Sequence, residues 1–223
     1  MHRKHHHRPA AVAGALLLAG LLALPAAGLA QLGGVLPSPS LPLPTPTASA
    51  STVTGQATVA QVVLLGLLGT ATSTSLASTG ISGTNAESDV AQVAGSIPSL
   101  LGAEVLNATT YSYPDQVDST ASLANLGLSV AGITISADSV VAEASQALGA
   151  AGTATSYIDN LAINGVPFSL SGAPNQTISI PGGQVVLNEQ TIASDGSTVV
   201  NAIHVTVNGV ADVVIASATA GVS

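Results

Sequence analysis

The sequence predicts an all-β domain, a sandwich or roll of antiparallel hairpins. Apolar and polar residues alternate along residues 203–208, which is the period of a half-buried strand. Asn-Gly pairs, which tolerate the positive φ angles of tight turns, follow strand-like segments at Asn164 and Asn208. Hydrophobic residues make up 47% of the 223 residues but aromatic residues only 2%. A core of such small side chains favours thin β layers, and a β-solenoid is the alternative arrangement.

The N-terminal 30 residues have the layout of a secretory signal peptide. All lysines and arginines of the chain lie in its first eight positions: Arg3, Lys4 and Arg8. An apolar run over residues 10–24, Pro25 and a small-residue end follow them. We therefore expect cleavage between Ala30 and Gln31 and a secreted protein. The alternative is a membrane anchor, since residues 9–30 are just long enough to span a bilayer.

Residues 31–50 are rich in Pro, Ser and Thr, and this composition predicts an extended linker. Residues 51–223 are long enough for one domain with its own core. They contain eleven Asp and Glu but no Lys, Arg or Cys. Nucleic-acid binding and attraction to anionic lipids both require cations, so we expect neither partner, and no membrane contact after signal removal. Thiolate chemistry is excluded, and we expect no cofactor.

The elements of residues 51–223 follow in order. Residues 54–68 are a strand or a short helix, and their β-branched residues favour the strand. Residues 86–106 include a helix-compatible segment that Ser88 could cap, limited by Pro98. A second short helix is the alternative for residues 142–150. Four strand–turn–strand units are expected: residues 126–135, 161–168, 177–187 and 203–215.

His204 is the one histidine after the leader, and it is a candidate general base or ligand. Strand alternation places it with Thr206 on the polar side, opposite Ile203 and Val205. We therefore expect a dispensable surface residue, because a lone histidine makes a poor metal site. No Gly-x-Ser-x-Gly turn accompanies it, so nothing supports a catalytic triad.

The acidic residues offer two weaker hypotheses. Asp115 and Asp118 could supply oxygen ligands to Ca²⁺, although they match no known calcium loop. The close pairs Glu87/Asp89 and Asp115/Asp118 could serve glycoside hydrolysis. Sugar clefts usually carry aromatic platforms, which this chain almost lacks. We therefore predict a protein that is not an enzyme, with a secreted carbohydrate-active hydrolase as the alternative.

Six segments of the chain form a recognisable combination: GAPNQTI at 172–178, PGGQVVLNEQ at 181–190, VNAIHV at 200–205 and ADVVIASATAG at 211–221, with SLANL at 122–126 and ING at 163–165. Together they resemble the choice-of-anchor P family of bacterial exported proteins. The resemblance implies an extracellular domain and brings no catalytic residues with it. The family's surface anchors lie at the C-terminus, and this chain shows neither a sortase-type motif nor an apolar tail there. We therefore expect a secreted or cell-surface domain with a structural or adhesive role, through cell-envelope or polysaccharide contacts.

Overall fold

A computed structural model describes residues 52–66 and 70–223. The predicted signal peptide, its cleavage site at Ala30 and Gln31, and the linker over residues 31–50 lie outside these residues. The described residues are all-β, as predicted, and form two antiparallel sheets. No helix that could cross a membrane occurs in them.

The first sheet has six strands in the order β10-β11-β12-β13-β1-β2. Their bounds are β1 (Val53–Leu65), β2 (Ala71–Ser78), β10 (Gln176–Ile180), β11 (Gly183–Ile192), β12 (Thr198–Val207) and β13 (Ala211–Val222). Every neighbouring pair in it is antiparallel. The first strand, β1, thus pairs with the last strand, β13, so the two ends of the domain lie side by side in one sheet.

The second sheet has seven strands, with β3-β4-β5-β6-β8-β9 in order and β7 also paired to β6. Their bounds are β3 (Ala86–Ile97), β4 (Leu101–Ser112), β5 (Gln116–Val130), β6 (Ile133–Ala147), β7 (Thr153–Asp159), β8 (Ala162–Ile163) and β9 (Val166–Pro167). These pairs are antiparallel too, and both sheets are open. The fold is a sandwich, and the β-solenoid alternative is wrong.

The core lies between the sheets. Strand β1 packs on β4 and β5, β13 on β5 and β6, and β12 on β6 and β7. Its buried apolar residues are Ala, Val, Leu and Ile, and no aromatic residue of the described part is among them. Small side chains therefore fill this core, as the composition predicted.

The predicted hairpins are present. Asn164 and Gly165 both have positive φ, 51° and 74°, in the turn between β8 and β9. Gly209 has φ 70° in the turn between β12 and β13, which the Val210 N to Val207 O hydrogen bond closes. Asn208, which we expected to share the positive φ, is not among the residues that have it. Only the glycine of that turn uses the left-handed region.

Both helix predictions are wrong. Residues 86–97 form the edge strand β3, and Ser88 lies inside that strand instead of capping a helix. Residues 142–147 belong to the end of β6, where all of them pair with β5 and residues 142–145 also pair with β7. Strand pairing outweighs the local helix propensity of residues 142–147 because it also buries Ala142 and Ala144 in the core.

The six-stranded sheet is creased along one line across its strands. The ladder skips one position in each of five strands, at Val59, Ala77, Asn188, Ala202 and Ala216. Ala77, Asn188 and Ala216 have positive φ there. The alternation of inner and outer side chains shifts by one residue across the crease, as it does at a β-bulge. Asn201 and His204 therefore share the outer face although they are three residues apart.

Candidate functional site

His204 lies in the middle of β12, on the outer face of the six-stranded sheet. Its neighbours across the ladder are Val186 on β11 and Val214 on β13. The prediction that it occupies the polar side of its strand is confirmed. The ring is only 20% exposed and is bound by two carboxylates, which the prediction of a surface residue did not include.

The two ring nitrogens of His204 face different acids. Nδ1 lies 2.8 Å from Glu189 Oε2, and Nε2 lies 3.2 Å from Asp212 Oδ2. Asn201 Nδ2 donates to the same Glu189 oxygen at 2.7 Å. An ionised carboxylate only accepts hydrogen bonds, so both contacts are satisfied together when the ring is the doubly protonated imidazolium. We name Glu189, His204 and Asp212 the histidine cluster.

The histidine cluster raises the pKa of His204 above its ordinary value of 6.5. Burial of the ring is the largest single influence and opposes protonation. The hydrogen bond to Asp212 and the Coulombic attraction of Glu189 and Asp212 outweigh it together. The cluster is thus a mainly structural ion pair that holds three adjacent strands.

The arrangement does not suit nucleophilic catalysis. The hydroxyl nearest to the ring is Thr206 Oγ1, 3.5 Å from Nε2, at the limit of a hydrogen bond. Nε2 already faces Asp212, so no ring nitrogen is left to accept a proton from that hydroxyl. Within residues 52–66 and 70–223, no three His, Asp or Glu side chains form a group that could hold a metal ion.

The sequence analysis named neither partner of His204, although the hairpin pattern could have indicated Asp212. Asp212 lies opposite Thr206 across the β12–β13 hairpin, two positions from His204 on the same face. The Asn-Gly turn fixes that register, so the hairpin prediction already implied the contact. Glu189 is placed by β11 and the crease at Asn188, which no local pattern indicated.

The proposed calcium ligands are not gathered into a site. Asp115 is exposed in the turn before β5, and Asp118 lies half-buried on the outer face of β5. The side chain of Asp118 accepts a hydrogen bond from Gln116 Nε2 at 2.7 Å. No third acid joins them within the described residues, so the structure adds no support for calcium there.

A different carboxylate pair shares a depression. Asp118 on β5 and Glu143 on β6 line a cavity of about 280 Å³ on the outer face of the seven-stranded sheet. The predicted pair Glu87 and Asp89 lies on the edge strand β3, with both side chains exposed on one face. Strand pairing, not sequence proximity, therefore selects the acids that meet.

Two further cavities lie at one side of the sandwich, where β7 of one sheet faces β11 of the other. The first cavity, about 290 Å³, lies between Ile158 and Leu187 beneath the loop of residues 168–175. The second, about 410 Å³, lies between Ala154 and Gln190. We call this pair of cavities the seam. Its described lining residues include no Asp, Glu or His.

Comparison of this chain with protein-family models, with curated proteins and with solved structures finds no match.

Proposed function

We propose that the chain is an exported, non-enzymatic β domain with a structural or adhesive role at the cell exterior. One observation carries the non-enzymatic part: the only imidazole of the described residues and the seam cavities are in different places. The histidine cluster lies on a sheet face with both ring nitrogens occupied, whereas the seam has neither carboxylates nor imidazole. Catalysis of hydrolysis requires such groups inside a site that a substrate can enter.

The basic start and apolar run of residues 1–30 support the exported part. The resemblance to the choice-of-anchor P family supports a surface or secreted location, and membership of that family is part of the proposal. The absence of Lys, Arg and Cys from residues 31–223 suits a soluble module that repels acidic partners.

Cell fractionation of the native host with an antiserum to the chain tests the proposal. We expect the protein in the medium or the envelope, with Gln31 as its first residue by mass spectrometry. A cytoplasmic protein that retains residues 1–30 would contradict export. Envelope material should retain the purified secreted protein without being degraded by it.

A hydrolase that uses Asp118 and Glu143 is the second candidate, because these acids line one cavity. Retaining and inverting glycosidases use two carboxyl groups that flank the scissile bond. The depression is open on a sheet face and Glu143 is exposed, which is unfavourable for excluding water. Release of reducing sugar from envelope polysaccharide, lost in Glu143→Gln but retained in Glu104→Gln, would establish this alternative.

A further inference from the structure

The seam is preformed by its own hydrogen bonds. Gln176 Oε1 accepts from both the backbone N and the Oγ of Ser171, at 2.9 and 2.8 Å. The Asn175 side chain accepts from Gln190 N at 2.9 Å, and Asn175 N donates to Asn188 O at the same distance. The loop that roofs the first cavity is thus fixed to β11, and binding there costs little ordering.

The polar groups that line the seam are neutral amides and hydroxyls. Gln176 and Asn188 use their side-chain oxygens within the fold, and their NH₂ groups donate to no described residue. Gln146 lines the second cavity, but its Oε1 is buried and its Nε2 donates to Ala150 O at 3.3 Å. The amide groups that a ligand can reach are therefore the NH₂ groups of Gln176 and Asn188.

An aromatic side chain lies at the rim. Tyr157 lines the first cavity and is 62% exposed, which is high for a large aromatic residue. Its ring offers a flat apolar surface beside donors and acceptors, the combination typical of small-ligand sites. The cavity volumes of about 290 and 410 Å³ each suit one or two sugar rings.

Charge and backbone geometry disfavour two other occupants. Residues 31–223 contain eleven acids and no Lys or Arg, so an acidic polysaccharide would be repelled. An extended peptide would have to add as a strand to the free edge of β7. Gln190 Nε2 already donates to Ala154 O on that edge, at 3.0 Å, and occupies an acceptor that the added strand requires.

We propose that the seam binds a neutral oligosaccharide, with Tyr157 against a sugar ring and the amide NH₂ groups of Gln176 and Asn188 donating to its hydroxyl groups. This inference rests on the proposed adhesive role and names its ligand class. The chain then attaches to uncharged glycan through one side of the sandwich and leaves both sheet faces free.

Screening of the full secreted chain on an array of neutral and acidic glycans, followed by calorimetry with the best neutral glycan, tests the inference. Tyr157→Ala removes the ring, and Ala173→Trp fills the first cavity from its exposed rim. Each should raise Kd at least about tenfold. Tyr111→Ala is the matched control, since Tyr111 is an exposed tyrosine on β4, away from the seam, and it should change Kd less than about twofold.

The outcomes separate this inference from the proposed function. Envelope binding that persists unchanged in Ala173→Trp overturns the seam as the glycan site and leaves the adhesive role intact. Binding of acidic glycans alone, or of extended peptides that the Ala173→Trp variant loses, also overturns it. Failure of the wild-type chain to bind either envelope or glycan contradicts both proposals.

Discussion

On the outer face of the six-stranded sheet, Glu189 and Asp212 are bound by the ring of His204. On the outer face of the seven-stranded sheet, acids are bound by amides instead. Asn125 Nδ2 donates to Glu104 at 2.8 Å, and Asn160 Nδ2 donates to Asp138 at 2.7 Å. Both arrangements hold carboxylates without Lys or Arg, but only the imidazolium removes a negative charge.

The difference predicts that the two sheets of a domain without Lys or Arg respond differently to pH and to salt in their stability. An amide–carboxylate bond is directional but leaves the net charge unchanged, so repulsion among the acids of the seven-stranded sheet persists at neutral pH. The histidine cluster adds a positive charge that depends on pH. We therefore expect pH to act mainly on one sheet and salt mainly on the other.

The first prediction, with the largest expected effect, concerns the close contact between the two sheets at Gly55. A Cβ on Gly55 of β1 would lie 2.6 Å from Thr110 Cγ2 and 2.9 Å from Ser112 Oγ, both on β4. Those side chains are buried and hydrogen-bonded, so they have little room to move. Gly55→Ala should lower the free energy of unfolding by about 2–3 kcal/mol in urea titrations followed by circular dichroism.

Gly102→Ala is the control for Gly55→Ala, because a Cβ on Gly102 of β4 meets nothing within 4 Å. It should change stability by less than about 0.5 kcal/mol. Equal losses in the two variants would show that close contact between the sheets is not what Gly55 provides.

The second prediction concerns His204. Removing the ring leaves Glu189 and Asp212 without their cation, so His204→Ala should cost about 1–2 kcal/mol at pH 6, after allowance for partial exposure. Thr120→Ala, at a half-buried outer position of β5, is the control on the other sheet and should cost about 0.5 kcal/mol or less. A loss no larger than that of the control would return His204 to the status of a dispensable surface residue.

The third prediction is the pH dependence of the same cluster. The folded pKa of His204 is raised above 6.5, so the native state holds the proton more tightly than the unfolded state. The stabilisation is fully present below pH 6.5 and is lost as pH rises through the folded pKa. The wild-type Tm should therefore be higher at pH 6 than at pH 8.5. This difference should shrink in His204→Ala, and an identical difference in both proteins would assign the effect to other groups.

The fourth prediction compares one hairpin from each sheet. Gly209 and Gly132 have φ 70° and 81° in the β12–β13 and β5–β6 turns. Valine resists positive φ, so Gly209→Val and Gly132→Val should each cost about 1 kcal/mol or more. Gly83→Val is the control, since Gly83 lacks a positive φ and has open space around it. Unchanged urea midpoints for both turn variants would contradict the turn geometry.

The smallest effect concerns repulsion on the seven-stranded sheet. Asp118 and Glu143 share a depression, so Glu143→Gln should raise stability at pH 8 by about 0.5 kcal/mol or less. Added salt should reduce this gain because it screens like charges, and a chelator in all samples excludes a contribution from bound divalent cations. A decrease in stability would show that Glu143 has a favourable partner.

Much of the fold could be predicted because its signals are local. Alternation along residues 203–208 and the turns at Gly165 and Gly209 depend only on side-chain period and φ tolerance, and the structure contains them. The small-residue core follows from composition alone. The helix predictions at Ser88 and over residues 142–150 failed where weak local preference competed with pairing on long strands.

The tertiary structure alone decided which acids meet and where the cavities lie. The register between β11 and β12, together with the crease at Asn188 and Ala202, brings Glu189 to His204. The register between β5 and β6 brings Asp118 beside Glu143. The seam arises where the edge strand β7 ends beside β11, which depends on how the two sheets stack. Such placement results from the exact strand register and from core packing, whereas the sequence by itself determined the strands, the turns and the charge that the fold must accommodate.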